Sequence, residues 1–224
     1  MKKDSIQLQI TADGSHTLYV EDMDEHYHSW HGAIRESQHV FVDKGLKEIA
    51  AKEVQLLEVG FGTGLNAYLT CLEASKNHRM VRYDALEKYP LPIEIFRKLN
   101  YNGQLGGDEG DCFERLSQSP WGEPTNVSAF FSIRKMQDDF LTFQPRRQWY
   151  HVIYFDAFAP EKQPEMWQEQ HMRKLYDALV PGGILVTYCA KGAVKRMLRS
   201  IGYRVESLVG PPGKREMIRA IRPE

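Results

Sequence analysis

Acids that terminate apolar runs are the residues of this chain best placed to do chemistry. His151-Val152-Ile153-Tyr154-Phe155 runs into Asp156-Ala157-Phe158-Ala159-Pro160, and Tyr83-Asp84-Ala85-Leu86 runs into Glu87. Open α/β sheets bind ligands beyond the carboxyl ends of their strands, so an apolar strand that stops at a carboxylate delivers it to the rim of that crevice. Asp156 in such a position suits an amine acceptor. An alkylammonium has no lone pair and a pKa near ~10, so it must lose a proton before it acts as a nucleophile; a carboxylate attracts the cation and orients the lone pair. Asp156 is the expected catalytic residue. The competing reading makes it a helix N-cap, because the residues that follow, through Pro164, resemble a helix entry.

The stretch Leu56-Leu57-Glu58-Val59-Gly60-Phe61-Gly62-Thr63-Gly64-Leu65-Asn66 reads as a buried strand, a glycine turn and a helix start. Glycine lets the backbone turn tightly and lets a ligand lie against main chain. The dinucleotide pattern Gly-x-Gly-x-x-Gly is not completed: counting from Gly60 the sixth residue is Leu65, and from Gly62 it is Ala67. Glu58 and the compressed spacing suit instead the methionyl half of S-adenosylmethionine, which has an ammonium, a carboxylate and no pyrophosphate. The expected cofactor set is Glu58, Gly60, Phe61, Gly62, Thr63, Gly64 and Asn66, then Glu87 with Lys88, Asp138, and Asp156 on the donor side of its role. Glu87 lies 23 residues after Gly64, close to the ~20-residue offset of an acid that holds ribose hydroxyls. Asp138 is a candidate for the adenine amino group, although it or Asp139 could equally cap a helix. A glycine turn with no ligand and a solvated acid at a strand end are the bland alternatives. His26, His28 and His31 cluster, but no carboxylate or cysteine set completes a metal geometry, so no metal is expected. Trp30, Phe158, Trp167 and Tyr188 are candidates for stacking on a base, a role less common for aromatic residues than core packing.

The elements that must position these groups follow from periodicity. Strand candidates are Val54–Val59, Met80–Leu86, Val127–Arg134, Tyr150–Phe155, Gly183–Thr187, Tyr203–Val209 and Glu216–Ile221, alternating with helical stretches. Pro164 to Leu179 and Val194 to Ile201 carry apolar residues at i, i+3, i+4 and i+7. Pro181-Gly182-Gly183 separates the first of these helices from a strand. The last two strands are joined by about six residues, too few for a parallel crossover, so they form an antiparallel hairpin. The expected fold is α/β, a class I Rossmann-like methyltransferase: a seven-stranded, mostly parallel sheet with one antiparallel strand, whereas most dinucleotide dehydrogenases keep their core strands parallel. Ile6–Ile10 and Thr17–Val20 flank a turn at Asp13-Gly14 and make a hairpin cap. The expected division is an N-terminal cap, 1–50, and a methyltransferase domain, 51–224. Residues 103–125 read as a surface excursion with a short helix from Asp111 to Leu116.

Bulk composition sets limits on partners. The 224 residues carry a net charge of −1, so no whole-molecule field attracts nucleic acid or anionic membrane. Three distant cysteines argue against a disulfide framework, and the absence of a signal-like apolar run or a membrane-length stretch points to the cytoplasm. One segment departs from this neutrality: residues 191–224 hold nine Lys or Arg against three acids, including Lys191, Lys195, Arg196, Arg199, Lys214 and Arg215. Such a face suits RNA phosphates, or is an ordinary solvated surface.

With these motifs in hand, the chain resembles the methyltransferase domain of the bifunctional tRNA wobble-uridine enzyme MnmC and its stand-alone form MnmD. The resemblance rests on Tyr27-His28-Ser29, Glu36-Ser37-Gln38-His39-Val40-Phe41, Gly60 through Asn66, Glu87-Lys88-Tyr89-Pro90-Leu91, Asp156 through Pro160, Pro164-Glu165-Met166-Trp167 and Lys214-Arg215-Glu216-Met217, in order along most of the chain. It implies methylation of the amine of 5-aminomethyl-2-thiouridine at the tRNA wobble position, with S-adenosylmethionine as donor, the anticodon arm of tRNA as partner, and Phe158, Pro160, Lys191, Lys214 and Arg215 at the substrate side. Ala157 stands where relatives often have glycine, and no flavin oxidase domain follows residue 224, so another enzyme is expected to supply the aminomethyl precursor. Two other classes of reading stand beside this one: an aminopropyltransferase of the spermidine synthase type, whose loop is usually richer in Gly-Gly-Asp, and a non-catalytic RNA-binding domain.

Overall fold

The computed structural model describes residues 6–106 and 111–224. The remainder of the N-terminal cap, 1–5, and part of the expected excursion, 107–110, lie outside the described residues. A small antiparallel sheet comes first, of β1 (Ile6–Ile10), β2 (His16–Val20) and β3 (Glu25–His26). Its β1–β2 turn contains Asp13-Gly14: Asp13 accepts hydrogen bonds from Thr11 and Ser15, and Gly14 takes φ +85. Helix α1 (Ala33–Ser37) and the π-helical turn Gln38–Asp43 follow, and Val40, Phe41 and Val42 are buried in the same core as the main sheet.

The main sheet is built from β4 (Glu53–Val59), β5 (Met80–Glu87), β6 (Pro124–Ser128), β7 (Phe131–Gln137), β8 (Tyr150–Phe155), β9 (Leu179–Thr187), β10 (Arg204–Val209) and β11 (Glu216–Ile221). Its order is β10-β11-β9-β8-β4-β5-β7-β6, and β9, β8, β4, β5 and β7 are mutually parallel. Central strands such as β8, almost wholly buried, read as continuous apolar runs because helices cover both faces of the sheet. The helices are α2 (Leu65–Lys76), the short α3 (Ile93–Phe96), α4 (Tyr101–Gln104) and α5 (Cys112–Gln118), then α6 (Glu169–Ala178) and α7 (Gly192–Ile201). None of the described helices is long and apolar enough to cross a membrane.

The mostly parallel α/β sheet and the antiparallel β10–β11 hairpin match expectation, but the described strand count of this sheet is eight rather than seven. The single strand expected over Val127–Arg134 divides: Ser128 ends β6, the chain reverses between Ser128 and Phe131, and β7 begins, so a second antiparallel strand closes the edge. Both halves carry the same alternating pattern, which hides a two-residue reversal from periodicity alone. The helix expected from Pro164 to Leu179 also breaks, at Gln168 (ψ 149), into a 3₁₀ turn and α6. The short helix α5 of the excursion is held from beneath: buried Lys135 on β7 donates to the carbonyls of Leu116 and Ser117, both 3.0 Å away, and burial brings its ammonium down to about 8.

Candidate functional site

β4 lies between β8 and β5; the chain leaves it toward β5 and β7 on one side and returns to β8 on the other, so the paired carboxyl ends of β4 and β8 mark the switch point of the sheet. A cavity of about 510 Å³ opens there, within the ~300–1,000 Å³ range of small-ligand sites. Its floor is the glycine turn. Gly60, Gly62 and Gly64 all take positive φ (+94, +50 and +74). At Gly60 a Cβ would stand 2.4 Å from the Asp156 carbonyl oxygen, so two strand ends meet there at a distance that excludes any larger residue. Gly64 is the left-handed N-cap of α2.

Glu87 ends β5 beside this turn. Its two carboxylate oxygens accept the backbone N–H groups of Gly62 (3.0 Å) and Tyr89 (2.8 Å), fixing the side chain at the cavity wall. Burial raises its pKa above the usual carboxylate value. Lys88 pairs with Asp139 (2.8 Å), and Asp138 is exposed at the same wall, its side chain accepting the Asp139 N–H.

Asp156 leaves the end of β8 at the opposite side of the glycine turn. It caps no helix: the chain continues without helix until Pro164, and Oδ2 accepts from Asn66 Nδ2 at 2.8 Å. The same amide donates to Glu58 Oε1 at 2.9 Å, so one asparagine bridges two carboxylates. Burial and the neighbouring Glu36 lift the Asp156 pKa from 3.8 to about 7, against the opposing pull of Asn66 and Lys214. Glu58 is fully buried behind this bridge, and burial holds its pKa well above the carboxylate range.

The expected site residues therefore divide. Gly60, Phe61, Gly62, Glu87, Lys88, Asp138, Asp156, Phe158 and Lys214 line the cavity together. Glu58, Thr63, Gly64 and Asn66 sit behind its surface, where they shape the turn. Pro160, Lys191 and Arg215 are outside it; Lys191 is engaged with Glu161, and Arg215 is exposed on the hairpin.

Apart from Tyr188, a stacking candidate, one wall is absent from the expected set. The N-terminal cap contributes Tyr27, whose ring lies against Gly62 and meets Phe158 edge-on at 5.4 Å, and His28, hydrogen-bonded to Thr63 Oγ1 at 2.8 Å and brought down to about 4 by burial. It also contributes Glu36, which pairs with Lys214. Half-buried Tyr188, at the end of β9, completes the wall, its hydroxyl donating to the Ala157 carbonyl at 2.9 Å. The family-like stretches Tyr27-His28-Ser29 and Glu36-Ser37 carried this signal in the sequence, but nothing local to them says what they face. His26 bonds Gln9 (2.9 Å) and His28 bonds Thr63, and no group of three or more candidate metal ligands occurs among the described residues.

The cavity lining carries seven carboxylates and two lysines, so it favours cations and disfavours phosphates. Small-residue backbone, strand-end acids and apolar walls of Leu86, Phe140 and Leu141 fit a sulfonium nucleoside, which is itself cationic at one end and aromatic at the other.

Comparison with known proteins agrees with this geometry. The profile of a family described as S-adenosyl-L-methionine-dependent methyltransferase matches residues 129–223. The tRNA 5-methylaminomethyl-2-thiouridine biosynthesis bifunctional protein MnmC of Pseudoalteromonas atlantica is 29% identical over 96% of this chain and 33% of its own length. That of Cupriavidus metallidurans is 30% identical over 93% of this chain and 32% of its own length. The chain thus spans about a third of the length of these relatives. The crystal structure of MnmC2 from Aquifex aeolicus superposes with a TM-score of 0.79 at 26% identity, covering 97% of this chain and 70% of that one. Spermidine synthase from Thermotoga maritima shares the fold, with a TM-score of 0.56 at 16% identity over 99% of this chain and 74% of its own. Taken with the glycine turn, Glu87 and Asp156 on one cavity, these likenesses identify an S-adenosyl-L-methionine-dependent methyltransferase that is similar in sequence and fold to the methyltransferase part of MnmC.

Proposed function

We propose that this protein methylates the primary amine of 5-aminomethyl-2-thiouridine at the wobble position of tRNA, giving 5-methylaminomethyl-2-thiouridine. The observation that carries the reading is that Asp156 opens into the same cavity as the glycine turn and Glu87. S-adenosylmethionine, when bound, supplies an electrophilic methyl group whose transfer makes a nitrogen–carbon bond as the sulfur–carbon bond breaks. The backbone of Gly60 and Gly62 would carry the methionyl part, Glu87 the ribose hydroxyls, and Asp138 with Leu141 the adenine.

Asp156 takes the proton that the acceptor ammonium must lose. An ordinary carboxylate near ~4 is a poor partner for an amine near ~10; lifting Asp156 to about 7 narrows the gap by about 3 units, or roughly 4 kcal/mol. Asn66 holds the carboxylate in place, and Glu58 orients Asn66. Phe158 and Tyr27 form an aromatic corner for the pyrimidine ring. The acidic cavity admits the base and its cationic arm but leaves phosphates outside, where exposed Arg196, Arg199 and Arg215, without ion-pair partners among the described residues, would meet them. Lys191 and Lys195 are already paired, with Glu161 and Glu216. On this reading the cap, 1–50, and the domain, 51–224, form one catalytic unit in the cytoplasm.

The test is incubation with tRNA from cells lacking the activity and S-adenosylmethionine carrying a labelled methyl, followed by nucleoside mass spectrometry. Label in 5-methylaminomethyl-2-thiouridine supports the reading. Transfer from decarboxylated S-adenosylmethionine to a polyamine instead would make the protein an aminopropyltransferase, and binding of tRNA with no transfer from either donor would make it an RNA-binding module.

A further inference from the structure

Glu36 and Lys214 form an ion pair inside the cavity, from segments nearly the whole chain apart. Glu36, on α1, is 6% exposed. Its Oε2 accepts the Ser29 N–H at 2.7 Å and its Oε1 accepts from Lys214 Nζ at 2.6 Å. Lys214 stands in the β10–β11 loop, and its ammonium lies 3.8 Å from the centroid of the Tyr188 ring. Tyr188 in turn bonds the carbonyl of Ala157, the residue after Asp156. Removing both charges from water is costly, and such pairs often add nothing to stability over apolar replacements, so stability alone is a weak reason for this one.

The neighbourhood supplies another. The groups facing Asp156 are Asn66 from α2, Glu58 from β4, Tyr83 from β5, Tyr188 from the end of β9, Glu36 from α1 and Lys214 from the hairpin loop. Glu36 and Lys214 act on it with opposite sign: the carboxylate disfavours a second negative charge and the ammonium favours it. Both enter the cavity from outside the parallel strands, one from the cap and one from the C-terminal hairpin.

We propose that Glu36 and Lys214 are positioning residues for the amine methylation: as a pair they set a compensated charge beside Asp156, so that it works as a base at neutral pH only while the cap and the hairpin are joined across the cavity. The inference rests on the reading given under Proposed function, because it concerns the base of that reaction.

Its test is the ionisation of Asp156 in protein labelled at the aspartate carboxyl carbons, followed by NMR from pH 5 to 9, with Asp156→Asn identifying the resonance. Lys214→Met leaves Glu36 uncompensated and moves the midpoint up by about one pH unit; Glu36→Gln moves it down by about as much. The double variant returns it near the wild-type value, and Lys214→Arg, which keeps the charge, leaves it there. The acid limb of kcat/KM for tRNA moves in the same directions. Two single variants shifting the midpoint the same way, or not at all, overturn the proposal, as does a double variant that does not restore it. Should Lys214→Met fail to fold, Glu36→Gln and Lys214→Arg decide by themselves, through a fall in midpoint for the first and none for the second. The carboxyl titration needs no substrate, so wild-type protein that methylates no tRNA removes the reaction, whereas unmoved midpoints with methylation intact remove the role of the pair.

Discussion

Replacing the proposed base by its neutral isostere, Asp156→Asn, should abolish methylation and at the same time stabilise the fold at alkaline pH. Folding raises the pKa of this carboxyl from 3.8 to about 7, so the native state binds its proton more tightly than the unfolded chain does. The stability this supplies is fully present below the unfolded value and is lost as pH rises through about 7. The difference of about 3 units corresponds to a ceiling of roughly 4 kcal/mol, the cost of keeping Asp156 ionised above pH 8, and contact of the cavity with solvent lowers it. Asparagine keeps an acceptor for Asn66 Nδ2 and carries no charge. Taking half the ceiling, and ~2–4 °C per kcal/mol for a chain of this size, Tm should rise by about 4–8 °C at pH 8.5. The gain should shrink by more than half at pH 5 and vanish near pH 3. Calorimetric melts of both proteins across this range, with single-turnover methylation at pH 8, provide the check. An equal Tm difference at pH 5 and 8.5, or a less stable variant at pH 8.5, would refute the assignment of a strained carboxylate; full activity would refute its role as base.

Other perturbations probe the rest of the site. Gly60→Ala forces a Cβ to 2.4 Å from the Asp156 carbonyl at φ +94, so it should cost about 2–4 kcal/mol of stability from strain and overlap together, measured by denaturant unfolding. Glu87→Gln turns one oxygen that accepts a backbone N–H into a donor facing a donor, and removes a ribose acceptor; affinity for S-adenosylmethionine by calorimetry should fall roughly 10- to 100-fold, and a change under twofold would exclude Glu87 from the donor site. Changing Arg196, Arg199 and Arg215 together to Gln should weaken tRNA binding about tenfold and flatten its salt dependence by up to about one unit of slope per lost phosphate contact, with donor affinity unchanged. Lys191→Ala, which loses only an exposed pair with Glu161, should alter tRNA KM by less than about twofold.

What the sequence determined by itself was the part encoded locally. A buried strand running into Gly60, Gly62 and Gly64 specifies a left-handed turn before α2, and apolar runs that stop at Glu87 and Asp156 specify carboxylates at strand ends, because alternation, glycine φ and strand length are properties of a few adjacent residues. The short link between β10 and β11 fixed their antiparallel pairing for the same reason. The division of β6 from β7 escaped because the reversal at Ser128–Phe131 interrupts no hydrophobic pattern. Tertiary structure alone decided which polar residues of the motif face the cavity: Glu58 on β4, Thr63 in the turn and Asn66 on α2 flank Gly62, yet all three are buried, and Asn66 ties Glu58 to Asp156. It alone also brought the cap over the turn and Lys214 onto Glu36 and Tyr188. Charge compensation between residues 178 positions apart leaves no periodic trace along the chain, since it depends on where two separate segments come to rest against one sheet.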